Sequence, residues 1–370
     1  MAGLYLHIPF CASRCIYCSF YSTTGLELRQ RYVDALCLEM EMRQSEASIS
    51  TIYLGGGTPS QLTIDQLRQL FLYINKVYRL DHNVECTIEV NPDDVSVPYA
   101  KILSQLPVNR VSMGAQTFDN ERLHFLKRRH TAEQVSLAVQ HLRNAGIRNI
   151  SVDLMYGFPG ETLDDWQHDI DAVLELDVEH ISAYCLIVEE GTPLYERLKM
   201  KDERLKMLDE EIELQMYQRL IDRLVAAGYE HYEISNFAKP GYHSRHNSNY
   251  WNDVPYIGLG AAAHSYDGSS RQWNVSDIHQ YIETIERREI PCQWEQLDPN
   301  THYNDRITTA LRTSEGLDLT TLSDLHRTYC LGEAQRFLAN GLLRLNGSRL
   351  VLTRQGLFIS DMIMSSLMFV

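Results

Sequence analysis

Between residues 4 and 188 the chain repeats one unit, a short β-rich apolar run followed by an amphipathic stretch with helical spacing. The strand candidates are Leu4–Ile8, Thr51–Leu54, Val84–Val90, Arg110–Gly114, Asn149–Met155 and His180–Val188. The helical segments between them fall near 28–46, 63–78, 97–105, 119–145 and 162–176. Strands joined by helix-length crossovers run parallel in one sheet, with right-handed connections. The expected class is therefore α/β, a full or partial (β/α) barrel. In a barrel, functional groups collect on the loops at the carboxyl ends of the strands.

That rim carries unusual chemistry. Strand one, with its flanks Leu4-Tyr5-Leu6-His7-Ile8-Pro9-Phe10, runs into a loop holding Cys11, Cys15 and Cys18 at the spacing C-x3-C-x2-C. Three thiolates this close can hold three irons of a four-iron, four-sulfur cluster and leave the fourth iron open. A structural zinc site would want a fourth Cys or His at finger-like spacing, and the nearest candidate, His7, lies inside the strand. Gly55-Gly56-Gly57-Thr58-Pro59 follows strand two, Glu89-Val90-Asn91-Pro92 ends strand three and Gln116 follows strand four. Asp153 lies inside strand five, before Gly157-Phe158-Pro159-Gly160.

A glycine run alone is often a flexible turn; beside a cluster loop, glycines let the backbone approach a ligand. Glu89 could be an ordinary solvated carboxylate, or it could accept two hydrogen bonds from a ribose diol. Asp153 sits in an apolar run, where a buried carboxylate needs partners. Gln116 and Arg128 carry weaker signals.

The chain has 370 residues, 44% of them hydrophobic, and a formal net charge of -15. It can bury a sizeable core, and its charge disfavours non-specific nucleic-acid binding. Met1-Ala2-Gly3 runs straight into the first strand without a signal-peptide pattern, and no apolar run would span a bilayer. Eight cysteines then point to a reducing cytoplasm and to ligation rather than disulfides. Cys37, Cys86, Cys185, Cys292 and Cys330 read as structural.

After residue 188 the rhythm changes. Residues 202–227 predict a long helix, with Leu208, Ile212, Met216, Leu220 and Leu224 on a slowly drifting face, stopped by Gly228. Residues 229–241 show little periodicity and lead to His246-Asn247-Ser248-Asn249-Tyr250-Trp251, read as a loop. A loop histidine is ordinarily a hydrogen-bonded surface residue. Here His243 and His264 are close in sequence, Tyr250, Trp251 and Trp273 offer flat apolar surfaces, and the His246 segment fits the axial nitrogen and apolar walls that a haem needs. From about 300 a helical piece follows, with Asn346-Gly347 as the two-residue turn of a hairpin between 342–345 and 348–352. It looks winged-helix-like, but three scattered arginines (344, 349, 354) on an acidic molecule argue against DNA reading. Three units are expected: 1–195, 196–295 and 296–370.

The cysteine spacing and its flanks resemble the radical S-adenosylmethionine (SAM) superfamily. Together with Gly55–Pro59, Ile88–Pro92, Ser112-Met113-Gly114-Ala115-Gln116 and Asp153-Leu154-Met155-Tyr156-Gly157, they resemble oxygen-independent coproporphyrinogen III oxidase-like proteins. The resemblance runs from residue 4 into the C-terminal piece. It implies a partial (β/α)6 TIM-like barrel of the radical SAM type with a smaller C-terminal α+β, winged-helix-like domain. The true dehydrogenase branch has a further cysteine two positions after the third ligand and an N-terminal extension. Phe20 stands at that position here, and the chain starts at the first strand. The haem-chaperone branch, of HemW type, has Phe there and carries His-Asn-x-x-Tyr-Trp, which this chain matches at His246–Trp251.

By matching position, the resemblance implies that Cys11, Cys15 and Cys18 bind the [4Fe-4S] cluster, and that Tyr5, Gly56 and Glu89 line the first SAM site. Tyr17, Gly57, Thr58, Gln116, Arg128 and Asp153 match a second SAM site of the dehydrogenase branch, and His246 is the residue expected to hold haem. The expected function is a haem chaperone that passes haem to an acceptor protein, with a homodimer as a family-level expectation. The rival is a coproporphyrinogen III dehydrogenase using a SAM-derived radical for oxidative decarboxylation.

Overall fold

The computed structural model describes residues 1–200 and 207–370. Its centre is six parallel strands in chain order: β1 (Ala2–Ile8), β2 (Ile49–Gly56), β3 (Leu80–Val90), β4 (Arg110–Gln116), β5 (Asn149–Tyr156) and β6 (His180–Cys185). The crossovers carry α1 (Arg29–Met42), α2 (Ile64–Val77), α3 (Val97–Leu103), α4 (Asn120–Phe125), α5 (Ala132–Asn144) and α6 (Leu163–Glu175).

Alternation along the strands sorts their side chains. Leu4, Leu6 and Ile8, Ile52 and Leu54, Cys86 and Ile88, Val111 and Met113, Ile150 and Val152, and Ile181 and Ala183 join one buried cluster with the helices. Thr63 and Thr162 start α2 and α6 with reciprocal capping boxes.

The expected 119–145 helix is two helices. Lys127 takes a left-handed backbone (φ 60°), Asp119 caps α4, and the Thr131–Gln134 capping box starts α5. The break leaves Lys127–His130 as a loop on the rim of the barrel.

Beyond β6 come α7 (Pro193–Lys199) and α8 (Glu210–Ala226). Of the helix expected over 202–227, residues 202–206 lie outside the described residues, and Leu208 precedes α8. The stretch expected to be irregular after Gly228 forms β7 (Glu230–Glu233) and β8 (Asn236–Ala238); β8 pairs antiparallel with β6, and β7 antiparallel with β8. They were hard to read because each is four residues or fewer. His246 lies in a helix rather than a loop, α9 (Arg245–Trp251), whose N-terminus is capped by Ser244.

Four strands extend the opposite edge: β9 (Tyr256–Leu259) parallel to β1, then β10 (His264–Tyr266), β11 (Ser270–Asn274) and, after α10 (Ile278–Glu286), β12 (Cys292–Gln296). The six central strands thus form an open, partial barrel within a 12-stranded sheet of order β12-β11-β10-β9-β1-β2-β3-β4-β5-β6-β8-β7. Each flank covers an edge that would otherwise expose unpaired backbone groups.

The C-terminal piece comprises α11 (Pro299–Ala310), β13 (Leu317–Asp318), α12 (Asp324–Ala339), β14 (Leu343–Asn346), β15 (Arg349–Leu352), α13 (Arg354–Leu357) and α14 (Ser360–Leu367). Its three-stranded sheet has its own buried cluster around Ile307, Cys330, Leu350 and Ile363. The hairpin turn is one residue later than expected: Asn346 pairs with Arg349, leaving Gly347-Ser348 as the loop. Gly347, with φ 59°, takes the first central position, where a left-handed backbone favours glycine. No helix among the described residues is long and apolar enough to cross a membrane.

Candidate functional site

The face of the central strands turned away from the helices is polar. It presents Thr51 and Tyr53 from β2, Glu85, Thr87 and Glu89 from β3, Arg110 and Ser112 from β4, Ser151 and Asp153 from β5, and His180 and Ser182 from β6. The parallel register sets Glu89 beside Ser112 and Asp153 beside Ser182. At the carboxyl ends this face opens into a cavity of about 440 Å3. Cys11, Cys15, Cys18, Tyr17, Gly56, Gly57, Thr58, Glu89, Gln116, Arg128 and Asp153 all line it. Of the expected site residues, only Tyr5 and His246 do not.

The glycine run and the cysteine loop fold onto each other. Gly57 N donates to Ile8 O (2.9 Å) and Thr58 N to Phe10 O (2.8 Å). A Cβ on Gly57 would lie 2.7 Å from Ile8 O, so the approach requires glycine. Thr58 Oγ1 lies 3.5 Å from Cys11 Sγ, and Arg128 Nη1 donates to Cys15 Sγ at 3.7 Å. Burial pushes the Cys11 and Cys18 thiols up, and Cys15 beside them adds to it. Among the described residues no three His, Cys, Asp or Glu side chains converge on a single-ion site.

Glu89 is the best-placed carboxylate in the cavity. Tyr53 Oη donates to its Oε1 (2.8 Å) and Gly56 N to its Oε2 (3.0 Å). Burial, reinforced by Asp153, nevertheless raises its pKa to about 7. Asp153 is also raised by burial, while Ser112 donates to it at 3.2 Å. Arg128 spans the rim, donating to Asn91 Oδ1 (2.6 Å) and Gly114 O (2.5 Å). Gln116 has φ 70°, an uncommon backbone for a non-glycine residue and one that recurs at binding sites.

His246 is 1% exposed beneath this cavity. Thr51 Oγ1 lies 2.8 Å from its Nδ1 and the Tyr250 hydroxyl 2.8 Å from its Nε2. Its backbone N–H and that of Arg245 donate to the buried Glu85 carboxylate (2.8 and 3.0 Å). Burial, then the Arg110 guanidinium, holds the imidazole pKa at about 3. Tyr5 stands between, its ring 6.2 Å from Tyr53 and 6.4 Å from His246, with its hydroxyl 3.0 Å from His7 Nδ1.

Tyr53, Asn91, Ser112, Arg110, Ser182 and Asn247 were not singled out from the sequence, yet all but Arg110 line the cavity. Arg110 is 1% exposed, with Nε and Nη1 lacking partners among the described residues. For Tyr53, Arg110, Ser112 and Ser182 the signal was available, a polar residue alternating with the apolar set along the strand.

The Radical SAM superfamily model matches residues 5–173, and the HemN C-terminal domain model matches residues 297–359. The solved structure titled coproporphyrinogen III oxidase (HemN) from Escherichia coli superposes with a TM-score of 0.84 over 99% of this chain and 90% of that one, at 21% identity. Fold and three-thiol cavity together define a radical SAM protein with a HemN-type architecture. Proteins described as heme chaperone HemW are similar along nearly the whole length. That of Bacillus subtilis is 35% identical over 98% of this chain and 97% of its own. That of Mycobacterium tuberculosis H37Rv is 33% identical over 99% and 94%, and that of Lactococcus lactis 36% over 85% and 82%. The chain belongs to the HemW family.

Proposed function

We propose that this protein is a haem chaperone, which binds haem and releases it to an acceptor protein. The observation that carries the reading is the 35% identity, over almost the full length of both chains, to the Bacillus subtilis protein described as heme chaperone HemW. Phe20 supports it, standing where the dehydrogenase branch that this sequence resembles has a further cysteine. The match to the coproporphyrinogen III oxidase structure bears on fold alone.

Cys11, Cys15 and Cys18 would hold a [4Fe-4S] cluster, in keeping with three half-buried thiols in one cavity. When bound, the cluster offers an open iron to SAM. The protein's own part is to cradle and orient. Gly56 and Gly57 leave room for a ligand's polar end, Glu89 accepts from a ribose diol, and Arg128 holds Asn91 and the Cys15 sulfur in place. Tyr17, Thr58, Gln116 and Asp153 line the remaining space. Tyr5 backs Tyr53 and His7 from beneath. Residues 1–195, 196–295 and 296–370 are read as barrel, haem-segment extension and C-terminal domain.

The test is transfer. Anaerobically reconstituted protein is loaded with haem, freed of excess, and mixed with apomyoglobin as a probe acceptor. The Soret band should move to that of myoglobin within the mixing experiment. Failure to retain haem through desalting would contradict the reading.

A further inference from the structure

A second cavity, of about 710 Å3, lies along the other flank of β1, bounded by β9, β10, α9 and α11. Its volume falls in the range of ligand sites, about 300–1,000 Å3. Tyr250 and Trp251 of α9, Tyr256 of β9 and Tyr266 of β10 give it aromatic walls. Phe20, 67% exposed on the cysteine loop, borders both this cavity and the cluster cavity.

Two histidines face the space. Both nitrogens of His7 are engaged, Nδ1 by the Tyr5 hydroxyl and Nε2 by the Tyr21 carbonyl, each at 3.0 Å. His264 is different: its exposed ring rests near Trp273 (centroids 6.2 Å apart), and neither nitrogen has a hydrogen-bond partner among the described residues. Two cations also reach the cavity. Arg271 pairs with Asp305 of α11 and faces Glu295 at 3.7 Å, while Arg306 Nη1 donates to the Thr321 carbonyl at 3.1 Å.

An axial nitrogen, flat apolar walls and guanidinium groups for two carboxylates are what a haem needs from a protein. We propose that haem binds in this second cavity, with His264 as its iron ligand and its propionates toward Arg271 and Arg306. This rests on the reading of the protein as a haem chaperone and names the site of that function. His246 then acts as a positioning residue: buried, with both nitrogens occupied, it holds the Tyr250 hydroxyl so that this ring forms part of the wall. His-Asn-x-x-Tyr-Trp thereby serves haem through its tyrosine and tryptophan rather than its histidine.

The experiment is an anaerobic haem titration of the full chain, with circular dichroism verifying the fold of each variant. Wild type should show a defined Soret band. His264→Gly should weaken binding at least about tenfold, and added imidazole should restore both affinity and band, as expected when a lost ligand is replaced. Thr309→Trp, which fills the cavity from α11 without removing a histidine, should weaken binding comparably. His246→Gly should not respond to imidazole. The site is overturned if wild type binds haem while His264→Gly and Thr309→Trp bind it unchanged, or if His246→Gly is the variant that imidazole rescues. Absence of haem binding by wild type would instead overturn the chaperone reading itself, and the site with it.

Discussion

At the residue scale, two buried groups make opposite demands on pH. His246 is neutral when folded because burial and Arg110 hold its pKa at about 3, against an ordinary 6.5. Between those values the unfolded chain binds a proton that the folded chain refuses. The residue's contribution to stability is therefore complete above pH 6.5 and is lost as pH falls toward 3. His246→Phe lacks that linkage. The stability of wild type relative to this variant should fall with acidification by up to about 1.4 kcal/mol per pH unit, as urea unfolding at pH 7, 6 and 5 would measure. Glu89 runs the other way, protonated in a large fraction near its raised pKa of about 7. If it accepts a ribose diol, SAM affinity should rise from pH 6 to pH 8 as the carboxylate ionises, and Glu89→Gln should flatten that dependence in equilibrium dialysis. Equal slopes for the two proteins would remove Glu89 from the SAM site. The sequence showed Glu89 at a strand end; it could not show that Tyr53 and Gly56 share the carboxylate, because that contact depends on the register between β2 and β3.

At the element scale, close backbone approaches fix both cavities. A Cβ on Gly258 of β9 would lie 1.8 Å from the His264 carbonyl oxygen, so Gly258→Ala must push β10 away. The expected cost is about 1–3 kcal/mol, the usual range for overpacking, read as a lowered urea midpoint together with weaker haem binding. Gly57→Ala should act at the other cavity, lowering iron retained per chain after reconstitution, since its Cβ would meet Ile8 O at 2.7 Å. These elements were unequally legible. The six central strands announce themselves through apolar runs, and the cysteine loop and glycine run through composition. The flanking strands β7 to β12 do not, because three- to five-residue strands leave too little alternation to count. Lys127 hid the break between α4 and α5 for a related reason: nothing in a lysine advertises a left-handed backbone, although that residue delivers Arg128 to the site.

At the scale of the molecule, the open barrel explains why two cavities can lie side by side. A closed barrel would have one interior; here β1 pairs with β2 on one edge and β9 on the other, and a cavity lies on each side. The sequence implied the first space through the cysteines, whereas the second is built from segments as distant as residues 5 and 309. Phe20 borders both, so occupancy of one should be felt in the other. SAM added to cluster-loaded protein should change the haem dissociation rate about fivefold or more, within the usual range of coupling between sites, and Phe20→Ala should reduce that change. Stopped-flow haem release with and without SAM measures it.

Carrying haem and making its precursor are separable activities of a radical SAM fold. The most direct measurement is made on one anaerobically reconstituted sample, titrated with haem and then, in a second portion under reducing conditions with SAM, given coproporphyrinogen III. A haem chaperone should show saturable haem binding with a defined Soret band and yield no protoporphyrinogen. Protoporphyrinogen formed with turnover, or a sample that takes up no haem, would contradict that reading.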